Sequence, residues 1–250
     1  MNVPKLRSPI VLVHGLLGFD ELRVAGWTLS YFPGVPELLT AAGNHVLVPR
    51  MSMTSGVAER AHQLKAFLDG EMPSEPVHIF AHSMGGLDAR YLISRLGMAP
   101  RVLSLTTIGT PHRGTPFADW GIRRLERVLK PFFELFAIPK QAFYDLTTYR
   151  CREFNEQVPD APEVRYFSVV GQHEGEWRNP GWYLPHRIVK ELEGANDGVV
   201  SMSSATYGES VETWEGDHLS LINWPHPRGT WEDRAGHYGA LVQRLAEEGF

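Results

Sequence analysis

Short, continuous apolar runs alternate with longer stretches of helical spacing, and this rhythm constrains the fold more than any other feature of the chain. Ile10-Val11-Leu12-Val13 has no polar face and stops at His14-Gly15, as expected of a strand buried on both sides. His45-Val46-Leu47-Val48 reads the same way and ends at Pro49. Positions 57, 61, 64, 67 and 68 then repeat apolar residues at a helical period. Val77-His78-Ile79-Phe80-Ala81 is the next strand, and Leu87, Tyr91, Leu92 and Leu96 line one face of the helix behind it. Val102 to Ile108, Val164 to Val170 and Val211 to Trp214 are further strands, and Trp231 to Glu248 forms a closing helix. Such alternation implies right-handed βαβ units, a mostly parallel sheet and an α/β class of fold.

The segment 115–162 breaks the rhythm. It holds no convincing strand but carries Trp120, Phe132, Phe133, Phe136, Phe143 and Tyr144 among other apolar residues. Ordinary core helices explain this composition. A helical cap or lid inserted above the sheet explains it too. No repeat, low-complexity tract or linker divides the chain, so a single domain with this insertion is expected.

Composition removes several function classes. Apolar residues make up 43% of the 250, enough to fill a core, which excludes disorder. The balance of 24 basic against 29 acidic residues argues against a nucleic-acid partner. No apolar run approaches the length of a transmembrane helix, so no membrane anchor is expected. Cys151 is the one cysteine, and no disulfide framework can form. The opening residues lack the apolar region of a signal peptide; read as it stands the chain is expected in the cytoplasm, or outside the cell if a leader has been removed. There is no HExxH, paired CxxC, P-loop or dinucleotide fingerprint, so neither metal nor cofactor is expected.

Ala81-His82-Ser83-Met84-Gly85-Gly86 joins a buried strand to an amphipathic helix. A sharp strand–turn–helix exposes its central serine at the top of a sheet and requires small residues two positions to either side, here Ala81 and Gly85. The pattern alone recurs by chance; its position between strand and helix singles out Ser83 as a nucleophile. The helix N-terminus offers the Met84 amide to a developing oxyanion. A serine nucleophile needs a base and an orienting carboxylate, which in this architecture follow in the order acid, then histidine. Asp197, in Asn196-Asp197-Gly198-Val199-Val200, and His218, in Glu215-Gly216-Asp217-His218-Leu219, meet that order on loops after strands. Glu193 is the reserve acid. Asp217 adjoins the histidine and is poorly placed to face it, His226 lies between prolines, and His237 falls inside the closing helix. A second oxyanion donor is expected from the loop after the first strand, His14-Gly15-Leu16-Leu17-Gly18, with the Leu16 amide facing the carbonyl oxygen and His14 bracing the loop.

With these segments, and with Thr106-Thr107-Ile108-Gly109-Thr110-Pro111-His112-Arg113-Gly114, the chain resembles the bacterial triacylglycerol lipases of Pseudomonas, Burkholderia and Proteus type, in the α/β-hydrolase superfamily. The resemblance is clearest over 8–120 and returns at 195–225. It implies an α/β-hydrolase fold and a serine ester hydrolase acting on lipid esters at an oil–water interface. It implies Ser83, Asp197 and His218 as a triad and the Leu16 and Met84 amides as oxyanion donors. Leu17, Leu219 and the cap residues Phe132 and Phe136 are expected to contact substrate. Alternatives on the same scaffold are an acyltransferase, a thioesterase, or a non-catalytic lipid-binding homologue. In two places the chain departs from the family. Ala81 and Met84 stand where glycine and glutamine are frequent, and Ser220 stands where many members carry a calcium-binding aspartate, so calcium-independent catalysis is expected.

Overall fold

A computed structural model describes residues 3–18, 21–24, 27–128, 140–174, 180–224 and 233–250. Six strands form one parallel sheet in the order β4-β1-β5-β6-β7-β8. They are β1 (Ile10–Val13), β4 (Val46–Leu47), β5 (Val77–His82), β6 (Val102–Ile108), β7 (Arg165–Gln172) and β8 (Ser210–Glu215). Every strand expected from the apolar runs is present, but β4 is two residues long and only half-buried. It is an edge strand of the sheet formed by the described residues, and its half-burial corrects the expectation of a strand enclosed on both faces.

The strand periodicity of two sorts the core into two layers. Ile10, Leu12 and Phe80 point to one face, where helices α1 (Val35–Ala41) and α9 (Ala235–Glu247) cover them with Val35, Leu39, Tyr238, Leu241 and Leu245. Val11, Val13, Ile79 and Ala81 point to the other, against Ala61, Leu64 and Leu68 of α2 (Val57–Glu71) and Ala89, Leu92 and Ile93 of α3 (Met84–Arg95). The helical spacing from 57 to 68 is thus the buried stripe of α2.

The segment 115–162 contains no strand among its described residues. It forms α4 (Pro116–Val128), α5 (Lys140–Asp145) and α6 (Thr148–Gln157). Ala118, Ala142, Leu146 and Cys151 pack with Met84 and Leu87 at the start of α3, so this layer sits beside the serine turn. Four elements lacked a clear sequence signal: the antiparallel pair β2 (Glu21–Val24) and β3 (Trp27–Ser30), helix α1, and α7 (Pro180–Glu193), which carries Pro185 in its interior. A four-residue helix, α8 (Met202–Ala205), follows α7. No helix among the described residues is long and apolar enough to cross a membrane.

Candidate active site

The loops that follow β1, β5, β6 and β8 meet at the carboxyl edge of the sheet, where ligands of open parallel sheets bind. Parallel pairing sets Val13 beside Ala81, so the residues immediately after each strand, 14–18 and 83, are neighbours. Ser83 occupies the tight turn between β5 and α3 with φ 53° and ψ −130°, a strained backbone for a residue with a side chain. The turn closes because its surroundings are small. A Cβ on Gly15 would come within 2.7 Å of Ser83 Cβ, and one on Gly85 within 2.8 Å of the His14 carbonyl. The Ser83 amide donates to the Ile108 carbonyl at 2.9 Å, and Thr110 Oγ1 donates to the Ser83 carbonyl at 2.8 Å. Ala81 is fully buried in the α2/α3 layer, so its methyl is accommodated by the core.

His218 joins Ser83 to Asp197. Its Nε2 lies 2.9 Å from Ser83 Oγ and its Nδ1 2.6 Å from Asp197 Oδ2. With Nδ1–H donating to the carboxylate, Nε2 is left to accept from the serine hydroxyl. The other oxygen of the buried Asp197, Oδ1, accepts the amides of Val199 (3.1 Å) and Val200 (2.8 Å), which explains why the loop runs Asp-Gly-Val-Val with Gly198 at φ 110°. The reserve acid Glu193 is engaged elsewhere, accepting from Ser201 Oγ. Of the competing histidines, His112 binds Thr107 Oγ1, His237 packs on Trp214, and His226 lies outside the described residues.

The loop 14–18 is braced so that one amide is aimed outward. The His14–Gly15 peptide is held at both polar ends: Arg60 Nη2 donates to the His14 carbonyl at 2.6 Å, and the Gly15 amide donates to Tyr31 Oη at 3.1 Å. The next peptide is pinned by its oxygen, since the Gly15 carbonyl accepts His14 Nδ1 (2.9 Å) and the Gly18 amide (3.1 Å). In a trans peptide N–H and C=O point in opposite directions, so pinning the Gly15 oxygen orients the Leu16 amide. His14 Nε2 accepts the Met51 amide at 3.3 Å, which makes Nδ1 its protonated nitrogen. Bracing is the role expected of His14. Among the described residues neither the Leu16 nor the Met84 amide has a protein acceptor, which leaves both available to an oxyanion.

Of the residues expected to contact substrate, Leu17 projects into solvent at 50% exposure beside Met53 at 40%, tied to it by an amide-to-carbonyl bond of 2.7 Å. Leu219 is half-buried and packs on the α1/α9 core layer. Phe132 and Phe136 lie outside the described residues. Tyr31, Arg60 and Gly171 belong to the site but carried no motif, and Gly109, which lies in the segment 106–114, was given no role there. A Cβ on Gly109 would approach Asp197 Oδ2 to 3.1 Å and His218 Nδ1 to 3.3 Å, and one on Gly171 would meet Asp197 Cβ at 2.6 Å, so these glycines make the space for the carboxylate–imidazole pair.

Ser220 does not stand as a calcium ligand. Ser220 is buried and neutral, and both its amide (2.8 Å) and its hydroxyl (2.6 Å) donate to Asp217 Oδ1. Calcium needs six or more oxygens with carboxylates among them. The described residues contain no group of three or more histidine, cysteine or acidic side chains placed to hold a metal.

Comparison with known proteins gives the family. The model of the alpha/beta hydrolase family matches residues 10–247. Triacylglycerol lipase 2 of Saccharomyces cerevisiae is 32% identical over 267 aligned positions, covering 87% of this chain and 81% of that protein. A triacylglycerol lipase of Pseudomonas fragi is 33% identical over 269, covering 87% and 88%. Among solved structures, lipase 1 from Pelosinus fermentans superimposes with a TM-score of 0.73 at 20% identity over 99% of both chains, and Staphylococcus hyicus lipase with 0.70 at 18% over 99% of this chain and 96% of that one; these two likenesses concern the fold. The family match and the two sequence relatives that span most of its length place the chain in the alpha/beta hydrolase family, as a hydrolase of the lipase and esterase type.

Proposed function

We propose that the chain hydrolyses carboxylic esters of lipids, triacylglycerols among them, with Ser83 as nucleophile, His218 as base and Asp197 as its orienting acid. The observation that carries this reading is the unbroken chain from Ser83 Oγ through His218 to Asp197, at 2.9 and 2.6 Å, beside two backbone amides that have no acceptor among the described residues. Ser83 Oγ attacks the ester carbonyl carbon as its proton passes to His218 Nε2. The carbonyl oxygen takes up negative charge, which the Leu16 and Met84 amides stabilise. Collapse of this intermediate expels the alcohol, which takes the proton from His218 and leaves Ser83 acylated. Water then attacks the acyl carbon, gives a proton to His218, and releases the acid as Ser83 recovers its hydrogen. Asp197 stays ionised throughout, holding the imidazole and balancing its charge.

The segment 115–162 is read as a helical cap over this site. Its packing on Met84, Leu87 and the half-buried Leu16 supports this, because a cap that touches the oxyanion loop borders the acyl group. Ester specificity for longer acyl chains, and action at an oil–water interface, follow from an apolar cap of this kind.

Hydrolysis of p-nitrophenyl butyrate and of an emulsified triglyceride, with product acid titrated, tests the reading. Ser83→Ala and His218→Ala should each lower kcat by about 10⁴-fold or more, and Asp197→Asn by about 10³–10⁴-fold, with circular dichroism unchanged. Turnover retained by Ser83→Ala would remove Ser83 from the reaction. Preferential transfer to an added alcohol over water would favour an acyltransferase, and no turnover of any acyl ester would favour a binding protein.

A further inference from the structure

Tyr31 and His82 are buried between the oxyanion loop and the loop that carries His218, and the reaction described above uses neither. Their polar atoms form one continuous line. The Gly15 amide donates to Tyr31 Oη at 3.1 Å, Tyr31 Oη lies 2.8 Å from His82 Nδ1, and His82 Nε2 lies 3.0 Å from the His218 carbonyl oxygen. The two ends fix the direction of every bond. A carbonyl oxygen can only accept, so His82 Nε2 carries the hydrogen, Nδ1 accepts, and the Tyr31 hydroxyl donates to Nδ1 while accepting from Gly15.

We propose that Tyr31 and His82 are positioning residues, which through this single hydrogen-bonded chain hold the oxyanion donor loop and the base in register across Ser83. The inference rests on the reading of Ser83, His218 and the Leu16 amide as reacting groups. Gly15 is bonded through its amide to the chain and through its carbonyl to His14, and the adjoining peptide bears the Leu16 N–H. At the other end His218 is gripped by its backbone on both sides, its amide donating to the Asp197 carbonyl at 2.8 Å and its carbonyl accepting from His82. The donor peptide and the imidazole are therefore referenced to one rigid side chain, and that side chain belongs to the residue next to the nucleophile.

The electrostatics agree with the bond directions. The His82 and His218 rings lie with centroids 4.4 Å apart, so a charge on His82 would oppose the imidazolium that His218 becomes during turnover. Burial, followed by the nearby His218, holds His82 well below the usual histidine range and keeps it neutral. Burial likewise pushes the Tyr31 hydroxyl up, so it remains a donor.

The test uses Tyr31→Phe, which removes one oxygen and keeps the ring, with His82→Leu, which removes both nitrogens, and His82→Gln, which restores a donor toward the His218 carbonyl. For each, kcat and KM are measured with soluble p-nitrophenyl butyrate, together with the rate at which diethyl p-nitrophenyl phosphate modifies Ser83. Tyr31→Phe should lower kcat and the phosphorylation rate on the order of ten- to a hundredfold with KM within about twofold, since misplacement of reacting groups acts in the transition state. His82→Leu should lose at least as much, His82→Gln should recover part of it, and the double variant Tyr31→Phe/His82→Leu should be no slower than His82→Leu, because one chain can be cut only once. Unchanged kcat and labelling in Tyr31→Phe would overturn the inference, as would multiplicative losses in the double variant. Should His82→Leu fail to fold, Tyr31→Phe decides alone. Ser83→Ala in the same assays separates the two claims: turnover without Ser83 overturns the reaction scheme, whereas normal labelling of Ser83 in Tyr31→Phe overturns only the positioning role.

Discussion

Arg60 and Asp88 are both fully enclosed, and Arg60 Nε meets Asp88 Oδ2 at 2.7 Å. The pair joins α2 to α3, and the same guanidinium reaches the carbonyls of His14 (2.6 Å) and Ser52 (2.5 Å). A charge buried so deeply is tolerated because each edge of its fork finds an oxygen. Its removal would strand a buried carboxylate and loosen the loop behind Leu16.

Arg60→Met should therefore destabilise the protein by about 3–5 kcal/mol. Burial already pushes the Asp88 carboxyl up to about 7 despite Arg60. A raised carboxyl binds a proton in the folded chain that the unfolded chain releases, so its contribution is present at low pH and lost as pH rises through 7. The loss in Arg60→Met should thus be larger at pH 8 than at pH 6, and adding Asp88→Asn should remove much of that difference. Urea titration at the two pH values measures it; equal losses would mean that Asp88 is not the stranded group.

Gly109 has φ 57°, and a Cβ there would lie 2.9 Å from Leu221 Cδ1 as well as against Asp197 and His218. Gly109→Ala should reduce kcat by about a hundredfold, through displacement of the imidazole. Gly97 provides the comparison, since its φ is 72° but nothing lies within 4 Å of its Cβ position. Gly97→Ala should cost about 1–2 kcal/mol from backbone strain alone and leave kcat intact. Equal kcat losses in the two variants would show that strain, and not crowding of the triad, governs Gly109.

Leu17 combines a left-handed backbone, φ 58°, with a side chain half in solvent. Neither feature stabilises the fold, which points to a use in substrate contact. Leu17→Asn, better suited to that backbone, should keep or raise the melting temperature. It should also lower kcat/KM about tenfold for dodecanoate esters, and less for acetate, because only a long acyl chain would bury the leucine. Parallel loss on both esters would assign Leu17 to shaping the oxyanion loop.

His78 is buried on β5 and bonded to Ser104 Oγ at 2.8 Å, with its ring 4.9 Å from that of Phe250. Burial lowers its pKa from 6.5 to about 4. A depressed histidine contributes stability above pH 6.5 that is lost as pH falls through 4, because only the unfolded chain takes the proton in between. Over that window the wild type should lose roughly 3 kcal/mol more than His78→Asn. Unfolding free energies at pH 7, 5.5 and 4 measure the difference, which also cancels the opposing titration of Asp88. Parallel curves would show that His78 is protonated in the folded state.

Most of the proposed chemistry was legible without the fold. Ser83, Asp197 and His218 stand on local grammar: a strand, a turn of small residues and a helix around the serine, then loops after strands in a set order. Such signals span a few residues, and local sterics determine them. The two-sided burial of β1 and β5 is equally local, since an unbroken apolar run has no face to give to water. The shortness of β4 was not legible, because a strand's place in the sheet depends on which segments pair with it. Nor was the role of Tyr31, which reaches His82 across 51 residues, or of Arg60, which reaches the His14 carbonyl across 46. Gly109 and Gly171 are needed only because the Asp197 carboxylate and the His218 ring come to rest against them. Identity of the proposed reacting groups is written in short-range pattern; their alignment comes from packing between distant segments, where each bond depends on the placement of all the others.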